Sequence, residues 1–475
     1  MELSSSTAII AFSAVCAVVI PLILIIWPVL NSYLSIRGRR VRQLINKIPG
    51  PPFLPVLGNV FEFLGSRERI VEVRNNHFAS YSDIFKIWIC HYPLVKPVGP
   101  ECVEAILHSS RNTEKSLFYK LLHPWLGTGL LTSTGDKWFT HRKLLTPAFH
   151  FKILEEFIPL FLEKSLSLVD KLRIEAASGK SFDVVPIISM CTLDLICESA
   201  MGVKLNPKDK SQQEYVAAIY TLGDIVYYRS MRPWLFSDFM FSFTKKSKQQ
   251  EKALKVLHEF TESAIREKKN LYLLRKNNDN ENSRDFDESD SEEQLKIRKK
   301  RKVKAFLDLL IELSVEKKVL TDREIREEVD TFMFEGHDTT SMAICWILFT
   351  LANNPDVQEK AWKEVKEFWE YRTKMEKEDR SYQSNIFTDM PYLERCIKES
   401  LRLYPSVPVI SRKLSEDLQM GQRFAMLEVK AVVSAILFNF HLVAMDRPED
   451  IVIVADLVLR SKNGIKMKFI PRNGN

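Results

Sequence analysis

Three short strings in this 475-residue chain combine residue types that do chemistry. The first is Phe334-Glu335-Gly336-His337-Asp338-Thr339-Thr340, in which carboxylates, an imidazole and two hydroxyls surround one glycine. Glu335 and Thr339 are four residues apart and share one face of a helix, with Asp338 beside them. An acid next to an alcohol can pass protons. The two threonine hydroxyls can bond carbonyls one turn back, which together with Gly336 predicts a local opening and bend of the helix. At about 100° per residue Glu335, His337 and Asp338 point to different faces, so they do not close on one metal ion. The plainer reading is a pair of carboxylates near a helix kink. The second string places Trp138 and Arg142 one turn apart. An indole N–H and a guanidinium there can clamp an anionic group, or the Trp simply packs on the Arg stem. The third is Glu399-Ser400-Leu401-Arg402, an i,i+3 acid–base pair that contributes little if it is only a surface pair.

The elements that must position these groups read as mainly helical. Thr321-Asp322-Arg323-Glu324 has the form of a capping box, and the helix it opens can run to Asn353, stopped by Pro355. At about 1.5 Å per residue it exceeds 45 Å, and its second half, Met342 to Leu351, is apolar nearly all round. It should therefore pass through the protein's centre. Helical periods run from about residue 67, for example Phe149 to Leu172, Val184 to Met201 and Asn206 to Tyr228. Short strands are expected at Ile84 to Ile89 and Leu94 to Val98. A terminal pair, Ile451 to Leu459 with Ile465 to Ile470, is expected to turn at Lys462-Asn463-Gly464. Asn277 to Gln294 holds eight acids against one Arg and Lys296 to Lys304 holds seven bases. That block pattern predicts a solvated, mobile insertion over about 270–304, and Glu370 to Asn385 reads as a second charged loop.

Ala8 to Leu30 is 23 residues without a charge, long enough to cross a bilayer core. A cleaved signal peptide would have a shorter apolar region. Arg37, Arg39, Arg40, Arg42 and Lys47 follow directly, which places the rest of the chain in the cytosol. The expected layout is a lumenal tail over 1–7, an anchor over 8–30, a basic and Pro-rich linker over 31–66 and a cytosolic domain over 67–475. With 68 Lys+Arg against 61 Asp+Glu the charge is too mild to make nucleic acid the default partner. The apolar content of 45% excludes a disordered chain, and seven cysteines without a regular framework fit a reducing compartment.

Taken together and in this order, the strings resemble the cytochrome P-450 superfamily of haem-thiolate monooxygenases, and specifically its family four. The resemblance covers the anchor, the hinge Pro49 to Pro55, Trp138-x-x-x-Arg142 followed by Lys143 to Phe151, the segment Glu335 to Thr340, Glu399-x-x-Arg402, and Gly421-Gln422-Arg423-Phe424-Ala425. It implies an α-rich fold with small β-sheets. It implies that Trp138 and Arg142 hold a haem propionate, that Asp338 and Thr339 deliver protons to bound oxygen, and that Glu335 matches the glutamate esterified to a haem methyl in many relatives. Glu399 and Arg402 match the pair that braces the haem-side loop.

The implied reaction inserts one oxygen atom from O2 into a C–H bond of a lipophilic substrate, most often a fatty acid near its chain end. Electrons come from NADPH through a cytochrome reductase, with cytochrome b5 as a further partner, on the endoplasmic reticulum membrane. One departure stands out. Relatives carry a strand region, a winding segment and a Phe-x-x-Gly-x-Arg-x-Cys-x-Gly loop between the equivalents of Met420 and Gly421. This chain has the two adjacent, and no cysteine follows Cys396. The axial Cys is therefore absent, and no residue here is assigned to the metal. So sharp a cut fits a skipped exon or a faulty gene model. The alternatives are a non-catalytic truncated membrane protein, or a haem or lipid binder without the thiolate.

Overall fold

The computed structural model describes residues 35–81, 84–99, 112–149, 155–205, 209–282, 305–377, 390–414 and 426–472, with Val103, Ile106 and Ile153 also placed. The expected anchor, most of the charged insertion and the 420/421 junction lie outside these residues. Among the described residues no helix is long and apolar enough to cross a membrane. Contacts divide the chain into two units, one of residues 1–113, 224–251 and 413–422 and one of 114–223, 252–412 and 423–475.

The first unit holds α1 (Ile36–Ile45), α2 (Arg67–Ser80) and the antiparallel pair β1 (Ile84–Ile89) and β2 (Tyr92–Pro97), registered Ile87 on Leu94. The Pro-rich stretch, read from sequence as a linker, is docked along β1. The carbonyl of Pro49 accepts from Lys86 N at 2.8 Å, Gly58 bridges Ile89, and the Asn59 side chain accepts from Trp88 N at 3.0 Å. Prolines cannot join a sheet interior but can line its edge, and that is the place they take.

The second unit is built round α9 (Asp322–Ala352). Thr321 caps it through the expected reciprocal bonds with Glu324, and Asn353 ends it. Its C-terminal half is sealed in the core, with Ile344, Cys345, Trp346, Ile347 and Leu348 fully buried. Packed around it are α4 (Ile158–Ala177), α5 (Val185–Ile196, continuing as a π turn through Met201), α10 (Pro355–Lys377), α11 (Pro391–Leu403) and α12 (Met426–Asn439). The helices α3 (Gly135–Leu145), α6 (Ser211–Ser230), α7 (Lys245–Asn282) and α8 (Phe306–Val315) complete the helical set used below. Trp346 Nε1 donates to Leu459 O at 2.9 Å and the indole stacks on Tyr404 with centroids 4.6 Å apart, so α9 is tied to two later segments.

Three expectations are corrected. The terminal hairpin does not form. Instead β7 (Lys466–Pro471) lies between β3 (Phe182–Asp183) and β4 (Phe440–Ala444), antiparallel to both, and Ile453–Val454 (β5) pairs with Arg460–Ser461 (β6). The mostly apolar and mostly buried run from Val432 to Leu442 hides the change from α12 to β4, because periodicity cannot divide a segment buried on nearly all sides. Gly464 serves a different purpose from the one expected. At φ +75° it lets the chain pass so close to Asp183 that a Cβ would sit 2.3 Å from its carboxylate, which accepts from Ile465 N and Val185 N. Finally, the insertion starts later than its composition suggests. α7 stays helical through Asn282, held on its way by Lys269–Asp322 at 2.7 Å, Tyr272–Glu316 at 2.7 Å and Lys276–Glu316 at 3.6 Å.

Candidate functional site

The buried acids in the first half of α9 determine where the neighbouring segments sit. Glu328 accepts from Leu130 N at 3.1 Å and bonds His141 Nδ1 at 2.7 Å. Glu327 takes Thr128 Oγ1 and Arg323 Nε, each at 3.0 Å. Both glycines of the loop, Gly127 and Gly129, lie where a Cβ would strike Glu327. The His141 link fixes the rotation of α3 about its axis and thereby the aim of Trp138 and Arg142 on the same helix. Sequence reasoning passed over His141. The available signal was Glu328, two turns before Glu335 on the same face of α9.

Glu335, Thr339 and Glu328 share that face. Burial pushes the Glu335 carboxyl up to about 7, with Lys115 and Arg142 pulling it the other way and Glu328 adding to the rise. Lys115 is itself drawn down to about 8 by burial and by the guanidiniums of Arg412 and Arg142, against the pull of Glu335. Lys115 and Arg142 therefore both act on this carboxyl, and Arg412 and Arg142 both act on Lys115. Lys115 and Arg412 form a β-bridge, and the neighbouring Ser116 and Ser411 hydroxyls lie 2.5 Å apart, so this pairing is built by the backbone. Lys115 and Arg412 are the site residues missed from sequence, since isolated basic residues carry no spacing signal.

Asp338 is not part of this cluster. It points from another face of α9, buried to 1%, and both its oxygens are held by Arg460 Nη2 at 2.8 and 2.7 Å. Arg460 also lies 3.4 Å from Asp456 and 4.1 Å over the Tyr220 ring. Thr339 donates its hydroxyl to the Glu335 carbonyl, as the sequence predicts. The helix nevertheless remains α-helical through this segment. Gly336 is explained by packing, because a Cβ there would sit 2.6 Å from Ile196 Cδ1 of α5. The carbonyl of His337 accepts from Thr192 Oγ1 at 3.2 Å, and burial holds its imidazole down to about 4, in the neutral form. Trp138 is half-buried and Arg142 is exposed on α3.

The Glu399–Arg402 pair differs from its expected role. Its two bonds are both 2.7 Å, but the side chains are 57% and 67% exposed, and among the described residues they bond each other. A brace must be covered by what it braces, and among the described residues this pair is not. Cys396, one turn before, is half-buried with its thiol pushed up to about 11 by burial and Glu364. Cys197 and Cys345 are fully buried and shifted up further. None of these favours a thiolate.

Comparison with known proteins fits this geometry. A family model described as Cytochrome P450 matches residues 48–420. Cytochrome P450 4c3 of Drosophila melanogaster is 39% identical over 501 positions, covering 92% of this chain and 91% of that one. Cytochrome P450 4V2 of Homo sapiens is 34% identical, covering 86% of each. The chain belongs to family four of the cytochromes P450. The crystal structure of another P450, CYP102L1, superposes on 90% of this P450 and 99% of its own chain with a TM-score of 0.67 at 17% identity, which confirms the helix-rich fold.

Membership makes haem the expected cofactor and oxygen insertion the family chemistry. The P450 fits one end of that group. Lys115, Arg142 and Arg412 supply the positive charge that two propionates require. It does not fit the other end, because no described cysteine stands in the cluster and none follows Cys396.

Proposed function

We propose that this chain is a family-four monooxygenase polypeptide that keeps the carboxylate-binding end of its haem site and has lost the iron-binding end. The observation that carries the reading is the backbone bridge of Lys115 with Arg412 together with the pull of Lys115 and Arg142 on Glu335, on a chain with no cysteine after position 396. Haem, where bound, supplies iron for activating oxygen, and in this family a thiolate ligand pushes electron density onto the iron to favour O–O cleavage. The aligned stretch shared with the Drosophila relative is longer than this whole chain, so the relative carries residues there that this chain does not have. The family match ends at Met420, next to the junction.

With haem bound, Arg142 and Arg412 would hold the propionates, and Asp338, released from Arg460, and Thr339, released from the Glu335 carbonyl, would form the acid–alcohol pair that passes protons. Glu335 would be the carboxylate esterified to the cofactor. The substrate is a lipophilic chain, a fatty acid first among candidates. The chain is anchored in the endoplasmic reticulum membrane by residues 8–30 and served by an NADPH-dependent reductase, with cytochrome b5 as a second donor. The chain as written is the non-catalytic form.

The test uses iron-free protoporphyrin, whose fluorescence reports binding without any reaction. The full chain should bind it more tightly than its dimethyl ester, which lacks the two negative charges, and R142A/R412A should erase that preference. Equal binding of acid and ester by the unaltered chain would overturn the assignment of the cradle.

A further inference from the structure

A cavity of about 400 Å³ opens on a face of α9 that the Glu335 cluster does not use. Its floor is Val329 and Met333; at about 100° per residue Met333 lies about 160° round the helix from Glu335 and about 120° from Thr339, and Val329 lies about 120° from Glu335 and about 80° from Thr339. Cys197 and Met201 of the π turn form one wall, and Val256 and Phe260 of α7 form the other. The volume falls in the usual range for small-molecule sites. Its lining of thioethers, a thiol and one aromatic ring is soft and polarizable.

The rim has the opposite character. Asp209, Glu214, Glu259 and Glu267 stand around it, all exposed. Among the described residues of the lining the one cation, Lys204, is already 3.2 Å from Glu198, a residue outside the lining. Glu259 faces Lys255 at 3.8 Å with both side chains mostly in solvent, and among the described residues no cation lies within 4.0 Å of Glu214 or Glu267. Behind the wall lies a further acid, Asp330, whose carboxyl burial pushes up to about 7, so the exposed rim carboxylates carry the charge. Thr261 donates to Asp330 Oδ1 at 2.7 Å, while Asp330 Oδ2 is buried without a hydrogen bond, 3.7 Å from His258 Nε2.

We propose that this cavity binds a lipophilic organic cation, an aryl or alkyl ammonium. Its hydrocarbon body lies among Met201, Met333 and Phe260 and its charge sits at the acidic rim. An apolar interior alone would take any hydrophobe, and the excess of carboxylates selects the positive one. The site needs neither haem nor the missing segment, so the chain can be tested as it stands.

The probe is (1-naphthylmethyl)trimethylammonium, with its neutral carbon analogue, 1-neopentylnaphthalene, as control. Both are followed by naphthalene fluorescence on the detergent-solubilised full chain. The cation should bind saturably at one site, at least tenfold more tightly than the neutral compound, and more weakly as salt rises. E214Q/E267Q should weaken the cation about tenfold and leave the neutral compound unchanged. Ala264→Trp, which fills the cavity, should abolish both. If that variant fails to give the native circular dichroism spectrum, the charge variant decides alone. Equal affinity for the two probes, or cation binding indifferent to E214Q/E267Q, overturns the proposal.

Discussion

Glu335 sits where its charge is disfavoured by burial and favoured by Lys115 and Arg142, and burial is the stronger effect. Its folded value of about 7 lies above the ordinary carboxyl value, so the fold favours the protonated form. The contribution to stability is complete below about pH 4.3 and is lost as pH rises through about 7. Comparing wild type with Glu335→Gln by thermal melts should show the wild type losing about 1–3 kcal/mol more than the variant between pH 4.5 and 7. Coincident slopes would mean that the carboxyl is solvated. Asp338 differs in being buried with both its oxygens held by one partner, Arg460. Arg460→Ala should cost about 3–5 kcal/mol in denaturant titrations, because it leaves Asp338 buried and unpaired. Asp338→Asn combined with Arg460→Ala should recover part of that loss. At this scale the sequence identified the acids and hydroxyls of α9 but not their partners, since Arg460 lies 122 positions from Asp338 and Lys115 nearly 300 from Arg412.

The long helix α9 was legible from end to end, because a capping box, an apolar second half and a proline stop all point the same way. Its central packing gives a direct prediction. Trp346→Ala should cost about 3–5 kcal/mol, since it removes a fully buried indole, a hydrogen bond to Leu459 and the stack on Tyr404. Elements buried on all faces were harder to read. The α12 to β4 join left no periodicity to divide, and the sheet partners of β7 came from β4, whose paired residues lie 23 or more positions upstream, and from the distant β3, not from the neighbouring hairpin arm. α11 shows what is lost when an element keeps its motif without its neighbour. In this chain Glu399→Ala and Arg402→Ala should leave the melting temperature unchanged, because the pair is exposed and, among the described residues, bonded to itself. In a chain carrying the family's intervening segment the same substitutions should be disruptive. A large shift in the present chain would show that the pair is covered.

For the whole molecule, fold and chemistry have separate requirements. Among the described residues the helical core round α9 draws on α4, α5, α10, α11 and α12. Family membership follows from motifs spread along the chain, whereas the proposed loss of oxygen activation rests on one place, the 420/421 junction. The measurement that separates these is the carbon monoxide difference spectrum of the reduced, membrane-expressed chain, recorded beside a version with a family-four segment restored between Met420 and Gly421. The account predicts no thiolate-type Soret band from the chain as written and a normal one from the restored chain. A thiolate-type band from the chain as written would mean that one of its seven cysteines reaches the iron, and would contradict the central claim.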